Sequence, residues 1–233
     1  MADKRIHPVR VHNAERARKA FLDTAEEEFA NSGYAGARVD EIARRAGYNK
    51  GLLFRYFHDK LNLYKEVLKH ADQETNELRA KVLAPLFTDQ RITSDPKRFR
   101  SFLETMIRAN FDYLVSHPRI LRILLWEMAD RWKTYASISP EFSQNEIEPF
   151  LWVCREAVNA GILKSDFAPF IQLTITQPIC QIYLAYLPLF QISFPNQDLT
   201  SPDSLEKARD FIVNLILSGI INDPDQQQVK SEV

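Results

Sequence analysis

Apolar residues recur at three- and four-residue spacing along most of the chain, and two-residue alternation is scarce, so the pattern predicts helix nearly throughout. The first helix is expected from Asn13, a fair N-cap, to Ser32. Ala17, Phe21, Ala25 and Phe29 form one stripe, Arg18, Glu26 and Glu27 lie outside it, and Gly33 ends it. Short helices follow at about 39–46 and 50–57, and Asp59 is placed to cap a long helix over 60–84. After a polar linker at 87–96, helices are expected at 97–116, 119–133, 144–160, 167–192 and 203–221, with Pro118 in a first turn and Gly161 at an end. The tail from Asn222 is polar. The fold class is therefore all-α.

Residues 39–57, VDEIARRAGYNKGLLFRYF, carry the most information. Isolated helices below ~12–15 residues are marginal in water, so these two short ones must pack on each other and on the first helix. Ile42, Ala43 and Ala46 face inward from one, and Leu53 and Phe57 from the other. Gly47 sits where the chain must turn sharply with positive φ, and Asn49 can cap the helix beginning at Lys50. This is the spacing of a helix-turn-helix. The outward face of the second helix offers Lys50, Gly51, Leu52, Phe54, Arg55 and Tyr56 with no acidic residue among them, and Lys60 opens the next helix, where ammonium and backbone N–H groups can hold a phosphate.

Charge agrees with that placement. The chain carries −1 overall, yet residues 1–60 hold 4 Lys and 8 Arg against 9 acidic residues, a net of +3. Cys154 and Cys180 have no redox or metal spacing, and the histidines at 7, 12, 58, 70 and 117 make no ligand set, so no metal, cofactor or catalytic group is expected. The charged start is no signal peptide. A charge-free stretch between Asp166 and Asp198 is broken by Pro169, Pro178, Pro188 and Pro195 and dotted with glutamines, which suits a buried helix better than a membrane span. A cytoplasmic location is the default.

From Arg18 to Leu68 the chain resembles the N-terminal domain of the tetracycline-repressor (TetR) family. The likeness runs through Gly33-Tyr34, Ile42-Ala43 with Ala46-Gly47, Lys50-Gly51 with Leu53 and Tyr56-Phe57, and the later Lys60. The resemblance implies double-stranded DNA as partner, with groove contacts from Lys50, Gly51, Leu52 and Tyr56, beside the capping Asn49. It implies phosphate contacts from Lys60, Arg18, Arg38 and Arg55. Two positions depart from the family pattern. Ala37 stands where a hydroxyl residue usually caps the second helix, and Phe54 replaces a tyrosine, leaving it to meet a thymine methyl or to pack. The basic arm before Lys19, with His7 and His12, either reaches into a groove or is a solvated end.

Beyond residue 85 the likeness implies only an architecture, a helical sensor and a two-fold homodimer. The reading is a DNA-binding domain at 1–60, a helical ligand-binding and dimerisation domain at 61–222, and a polar tail at 223–233. The last helix has Leu205, Ala208, Ile212, Leu215, Ile216 and Gly219 at helical spacing, beside a companion helix apolar on every face, which suggests a four-helix dimer interface. Phe111, Trp126, Phe150, Trp152, Gln177, Gln181, Tyr183 and Tyr186 can line an effector pocket or serve as ordinary core. Glu127 and Arg131, one turn apart, read as a charged-ligand site or a surface pair. The function expected is a homodimeric repressor released from a palindromic operator by a small, largely apolar effector of unknown identity. An enzyme or a purely protein-binding adaptor is the rival; the adaptor has no need of Lys50, Gly51, Tyr56 and Lys60 together.

Overall fold

Which faces of the helices close follows from where the large apolar side chains fall. The computed structural model describes residues 8–139, 148–164 and 169–222. The helices described are α1 (Pro8–Gly36), α2 (Val39–Arg45), α3 (Lys50–Phe57), α4 (Lys60–Thr88), α5 (Pro96–Ser116), α6 (Pro118–Ala129), α7 (Lys133–Ile138), α8 (Glu148–Asn159), α9 (Pro169–Ser193) and α10 (Pro202–Ile220), with a 3-10 turn at Gln90–Thr93. The fold is all-α; an isolated bridge between Leu163 and Ile221 is the one strand-like pairing among the described residues.

Several boundaries differ from the expected ones for local reasons. α1 starts at Pro8 rather than Asn13, because a first-turn proline forfeits no hydrogen bond. α4 continues through Pro85 to Thr88, and the 3-10 turn occupies part of the expected linker. α6 stops at Ala129, since Arg131 and Trp132 both take positive φ (59° and 58°), a corner that no glycine announces, and α7 follows it. α9 is unbroken across Pro178 and Pro188. The basic arm at 1–7, the expected helix starts at 144–147 and 167–168, and the tail at 223–233 lie outside the described residues.

Packing divides the chain into two compact units, residues 1–74 with 118–142 and residues 75–117 with 143–233. The division therefore does not follow the boundary expected at residue 60, because α6 and α7 join the first unit and α4 contributes to both. In the first unit Phe21, Ala25 and Phe29 are fully buried and share one cluster with Ile42, Leu53, Phe57, Leu63, Tyr64, Ile120, Ile123 and Ile138. Two contacts from α6 complete it. The Trp126 indole donates to the Ala30 carbonyl at 3.2 Å, beside the point where Gly33 (φ 66°) leaves helical geometry. A Cβ on Gly33 would meet that indole at 3.0 Å. Gly33→Ala should cost about 1–3 kcal/mol, because φ 66° with ψ 174° is a backbone region essentially confined to glycine, and thermal unfolding will show a lowered midpoint; an unchanged midpoint would contradict the placement.

The neighbouring Glu127 is buried, 3% exposed, and is neither a surface partner of Arg131 nor open to a ligand. Its Oε1 accepts from the Tyr64 hydroxyl at 2.6 Å and its Oε2 from the Tyr135 N–H at 3.0 Å. Burial, and then the bonded carboxylate, push the Tyr64 phenol far above its ordinary value.

In the second unit α5 buries Phe99, Phe102, Leu103, Ile107, Phe111 and Leu114 and packs on α9 and α10. Arg209 of α10 holds Asp112 of α5 at 2.8 Å, and Arg108 pairs with Asp210. The end of α10 is fixed by Asn222, whose amide donates to the carbonyls of Gly161 and Leu163 at 2.8 and 3.2 Å. Cys154 and Cys180 lie buried here, and desolvation pushes their thiols up to about 12 and about 11. Neither should react with a thiol reagent near pH 8 until the chain unfolds, and rapid labelling of the native protein would contradict that burial.

This packing corrects the expected dimer stripe. Ile212 and Ile216 point into their own unit with Val213, Leu217 and Ile220, so they are not free to meet another chain. Leu205 and Ala208 are half-buried. Of the expected stripe Leu215 and Gly219 do face solvent, and Phe211 (69% exposed), which was not in it, stands beside them.

Candidate nucleic-acid interface

The turn between α2 and α3 is built as its residues require. Gly47 takes φ 79°, the Gly47 and Tyr48 N–H groups donate to the carbonyls of Arg44 and Ala43 at 3.2 and 3.0 Å, and Asn49 Oδ1 accepts from the Leu52 N–H at 2.8 Å. Leu53 and Phe57 anchor α3 inward, the Phe57 ring standing edge-on to Phe21 at 6.2 Å.

The outward side is basic but not uniformly free. Lys50, Gly51 and Arg55 are exposed, while Leu52, Phe54 and Tyr56 are half-buried against the core. Tyr56 lies 6.2 Å from the Phe21 ring, so much of its aromatic face is spent on packing. Phe54 packs likewise and carries the Lys50 ammonium 5.6 Å above its ring. Lys50 also meets Asp40 of α2 at 2.8 Å, and that hydrogen bond holds the Asp40 carboxyl below the ordinary carboxylate range. The pair is open to solvent and salt-screened, so it is the weaker competitor. A good bidentate contact to a base edge is worth about 1–3 kcal/mol, more than such an exposed pair.

The expected phosphate contacts fall into two kinds. Arg38 and Arg55 are exposed. Arg18 is engaged within the protein, paired with Glu66 and lying 5.6 Å from the Phe57 ring centre. Lys60 is half-buried, donating to the Ala35 carbonyl at 3.3 Å with its ammonium 4.8 Å over Tyr34. Burial draws its pKa down and the nearby Glu28 opposes that. Asp59 caps α4 as expected, accepting from the Asn62 N–H at 2.7 Å.

The cap of α2 differs from expectation. The N-cap is Arg38, not Ala37, and its side chain makes no capping bond; Ala37 is buried. The Arg38 N–H goes instead to Glu28 Oε1 of α1, at 3.3 Å. Sequence reading passed over Glu28 within the run Glu26-Glu27-Glu28, although it stands seven residues, two helical turns, after Phe21 and so shares the buried stripe.

Two family models match this chain. One, described as bacterial regulatory proteins of the tetR family, covers residues 21–67, the helices just described. The other, described as the tetracyclin repressor-like C-terminal domain, covers residues 100–216, half of the chain. The chain belongs to the TetR family. Its relatives include the HTH-type transcriptional repressor NicS of Pseudomonas putida, 26% identical over 219 residues, spanning 91% of this chain and 96% of NicS. The repressor SCO4008 of Streptomyces coelicolor is 32% identical over 113 residues, 48% of this chain and 50% of SCO4008. In fold the chain is similar to the ketosteroid transcriptional regulator KstR2 of Mycobacterium tuberculosis, with TM-score 0.62 at 16% identity over 88% of this chain and 95% of KstR2. As a member of this family it is a DNA-binding transcriptional regulator, and its family and relatives are regulators, not enzymes. No helix among the described residues is long and apolar enough to cross a membrane.

Of the candidate pocket residues, the structure brings Phe111 and Tyr183 together. Phe111 is core, its ring 6.2 Å from the half-buried Tyr183, and Gln181 is half-buried on the same helix as Tyr183. Trp152 and Tyr186 stand half-exposed, and Trp126 serves the first unit by covering Gly33. The side chains of Phe150 and Gln177 lie outside the described ones. A group that sequence reading missed is Asn110, whose side chain hydrogen-bonds the buried Cys180 thiol and so partly opposes the desolvation that raises it.

For a TetR-family member, Lys60→Ala should weaken binding to all duplexes alike and reduce the salt slope by about 1 per copy. A fluorescence-anisotropy titration over a salt series measures both. An unchanged slope would remove Lys60 from the phosphates.

Proposed function

We propose that this TetR-family repressor acts as a cytoplasmic homodimer on a palindromic operator and is released by a small, largely apolar effector. In this reading residues 1–60 form the DNA-binding domain, with the α3 of each copy in successive major grooves. Asn49, Lys50, Gly51 and Leu52 lead, Phe54 and Tyr56 stand behind them, and Arg18, Arg38, Arg55 and Lys60 follow the backbone. Residues 61–222 form the body, and 223–233 a polar tail.

The observation that carries the dimer is an unpartnered apolar face in the second unit. Ile182, Tyr186 and Leu189 of α9, and Phe211 and Leu215 of α10, stand half-exposed or more. Monomeric proteins rarely leave so many large apolar side chains in water together. Two helices from each copy make a four-helix interface, with Gly219 leaving room for close approach. The meeting of the Phe111 and Tyr183 rings in the second unit supports a largely apolar effector setting. An effector that favours a head separation other than about 34 Å would weaken operator binding by the factor that operator weakens the effector.

Sedimentation equilibrium tests the assembly. The wild type should sediment as a dimer, and Phe211→Glu with Leu215→Glu should sediment as a folded monomer that no longer binds the operator tightly. A wild type that remains a monomer at tens of micromolar would end this reading.

A further inference from the structure

α2 has seven residues, too few to persist alone, and its N-cap supplies no side-chain acceptor. Glu28 makes up for that from α1. It is 9% exposed, its Oε1 accepts from the Arg38 N–H at the start of α2, and its Oε2 lies 3.4 Å from the guanidinium of Arg45 at the end of α2. Arg45 is shared with Glu27, which itself stands 3.6 Å from Arg119 of α6. A carboxylate at a helix start and a cation at a helix end both suit the helix dipole, and one buried acid holds the N-cap N–H of α2 together with the Arg45 side chain from its last turn. A half-satisfied buried carboxylate would be costly, and both oxygens are used.

We propose that Glu28 is the positioning residue of the reading head: by tying both ends of α2 to one point on α1, it sets the angle at which α2 presents α3 to the groove. α2 packs on α1 and on α3, so a shift of α2 displaces Lys50 and Gly51 without removing any DNA contact. The inference rests on DNA binding through α3, but its first test does not use DNA.

That test is amide hydrogen exchange. The Arg38 N–H should be protected in the wild type and in Glu28→Gln, whose amide oxygen still accepts, and unprotected in Glu28→Ala. An Arg38 amide that exchanges at the unprotected rate in the wild type would overturn the proposal, whatever becomes of the Ala variant. The second test compares a duplex selected from a random pool with a scrambled one, at a temperature where circular dichroism shows each variant folded. Glu28→Ala should lose about tenfold in affinity for the selected duplex, keep its affinity and salt slope on the scrambled one, and be largely rescued by Gln. A folded Glu28→Ala with a lowered unfolding midpoint and an unchanged ratio of the two affinities would reduce Glu28 to a stability residue and refute a positioning role. Equal loss on both duplexes would refute it too. A wild type unable to tell the duplexes apart would count against α3 as reader and leave the exchange result to decide on Glu28.

Discussion

Lys50→Glu should lower operator affinity about a thousandfold while leaving the unfolding midpoint close to wild type. Lys50 is half-exposed and touches only Asp40 and the Phe54 ring among the described contacts, so its replacement disturbs no buried packing. In the groove each copy would lose a base-edge contact worth about 1–3 kcal/mol, and two copies lose about 2–6. Every 1.4 kcal/mol is about tenfold, and reversing the charge beside phosphates drives the loss to the upper part of that range. Asp40→Asn gives a control of opposite sign. It frees Lys50 and removes an anion next to the DNA, so affinity should rise modestly, more at low salt than at high. Electrophoretic mobility shift with the selected duplex reads both variants. Unchanged binding by Lys50→Glu would take the residue out of the groove.

The largest effect on stability is expected at Tyr64 and Glu127. Tyr64 is 1% exposed and its hydroxyl bonds a carboxylate that is itself buried. Hydrogen bonds to charged groups are worth about 1.5–3 kcal/mol. Tyr64→Phe should therefore cost about 2 kcal/mol, and Glu127→Ala about 3–4, since it leaves both the phenol and the Tyr135 N–H without their acceptor. For a chain of this size about 2–4 °C of midpoint follows each kcal/mol. The two losses should not add, because each removes the same bond; a double-mutant cycle should give a coupling near 1–2 kcal/mol. Strict additivity in urea denaturation would show that the two side chains act independently.

How much of this was legible depended on distance along the chain. The stripe of Phe21, Ala25 and Phe29, the Gly47 turn and the Asn49 cap are all local, and periodicity with turn chemistry placed them. Glu127 looked like a surface acid, because the tyrosine that buries it lies 63 positions away. Trp126 passed for a pocket aromatic since its acceptor, the Ala30 carbonyl, is 96 positions away. The corner at Arg131 and Trp132 lacks any glycine, so nothing local distinguished it from continuing helix. The stripe on α10 showed correct spacing but could not tell an intramolecular face from an intermolecular one; Ile212 and Ile216 turned out to serve the first, with Phe211 and Leu215 left outside. Among the DNA contacts the basic face was readable, whereas the competition of Asp40 for Lys50 and the reach of Glu28 to Arg38 depend on helices meeting at an angle.

One selection experiment goes to the centre of the account. Purified full-length protein, incubated with a pool of random-sequence duplexes at moderate salt, should enrich a single inverted repeat whose half-sites lie about one helical turn apart. Lys50→Glu carried through the same rounds should enrich nothing. A wild-type pool that stays random after successive rounds, or that converges on an unrepeated site bound equally well by Lys50→Glu, would mean that α3 does not read DNA.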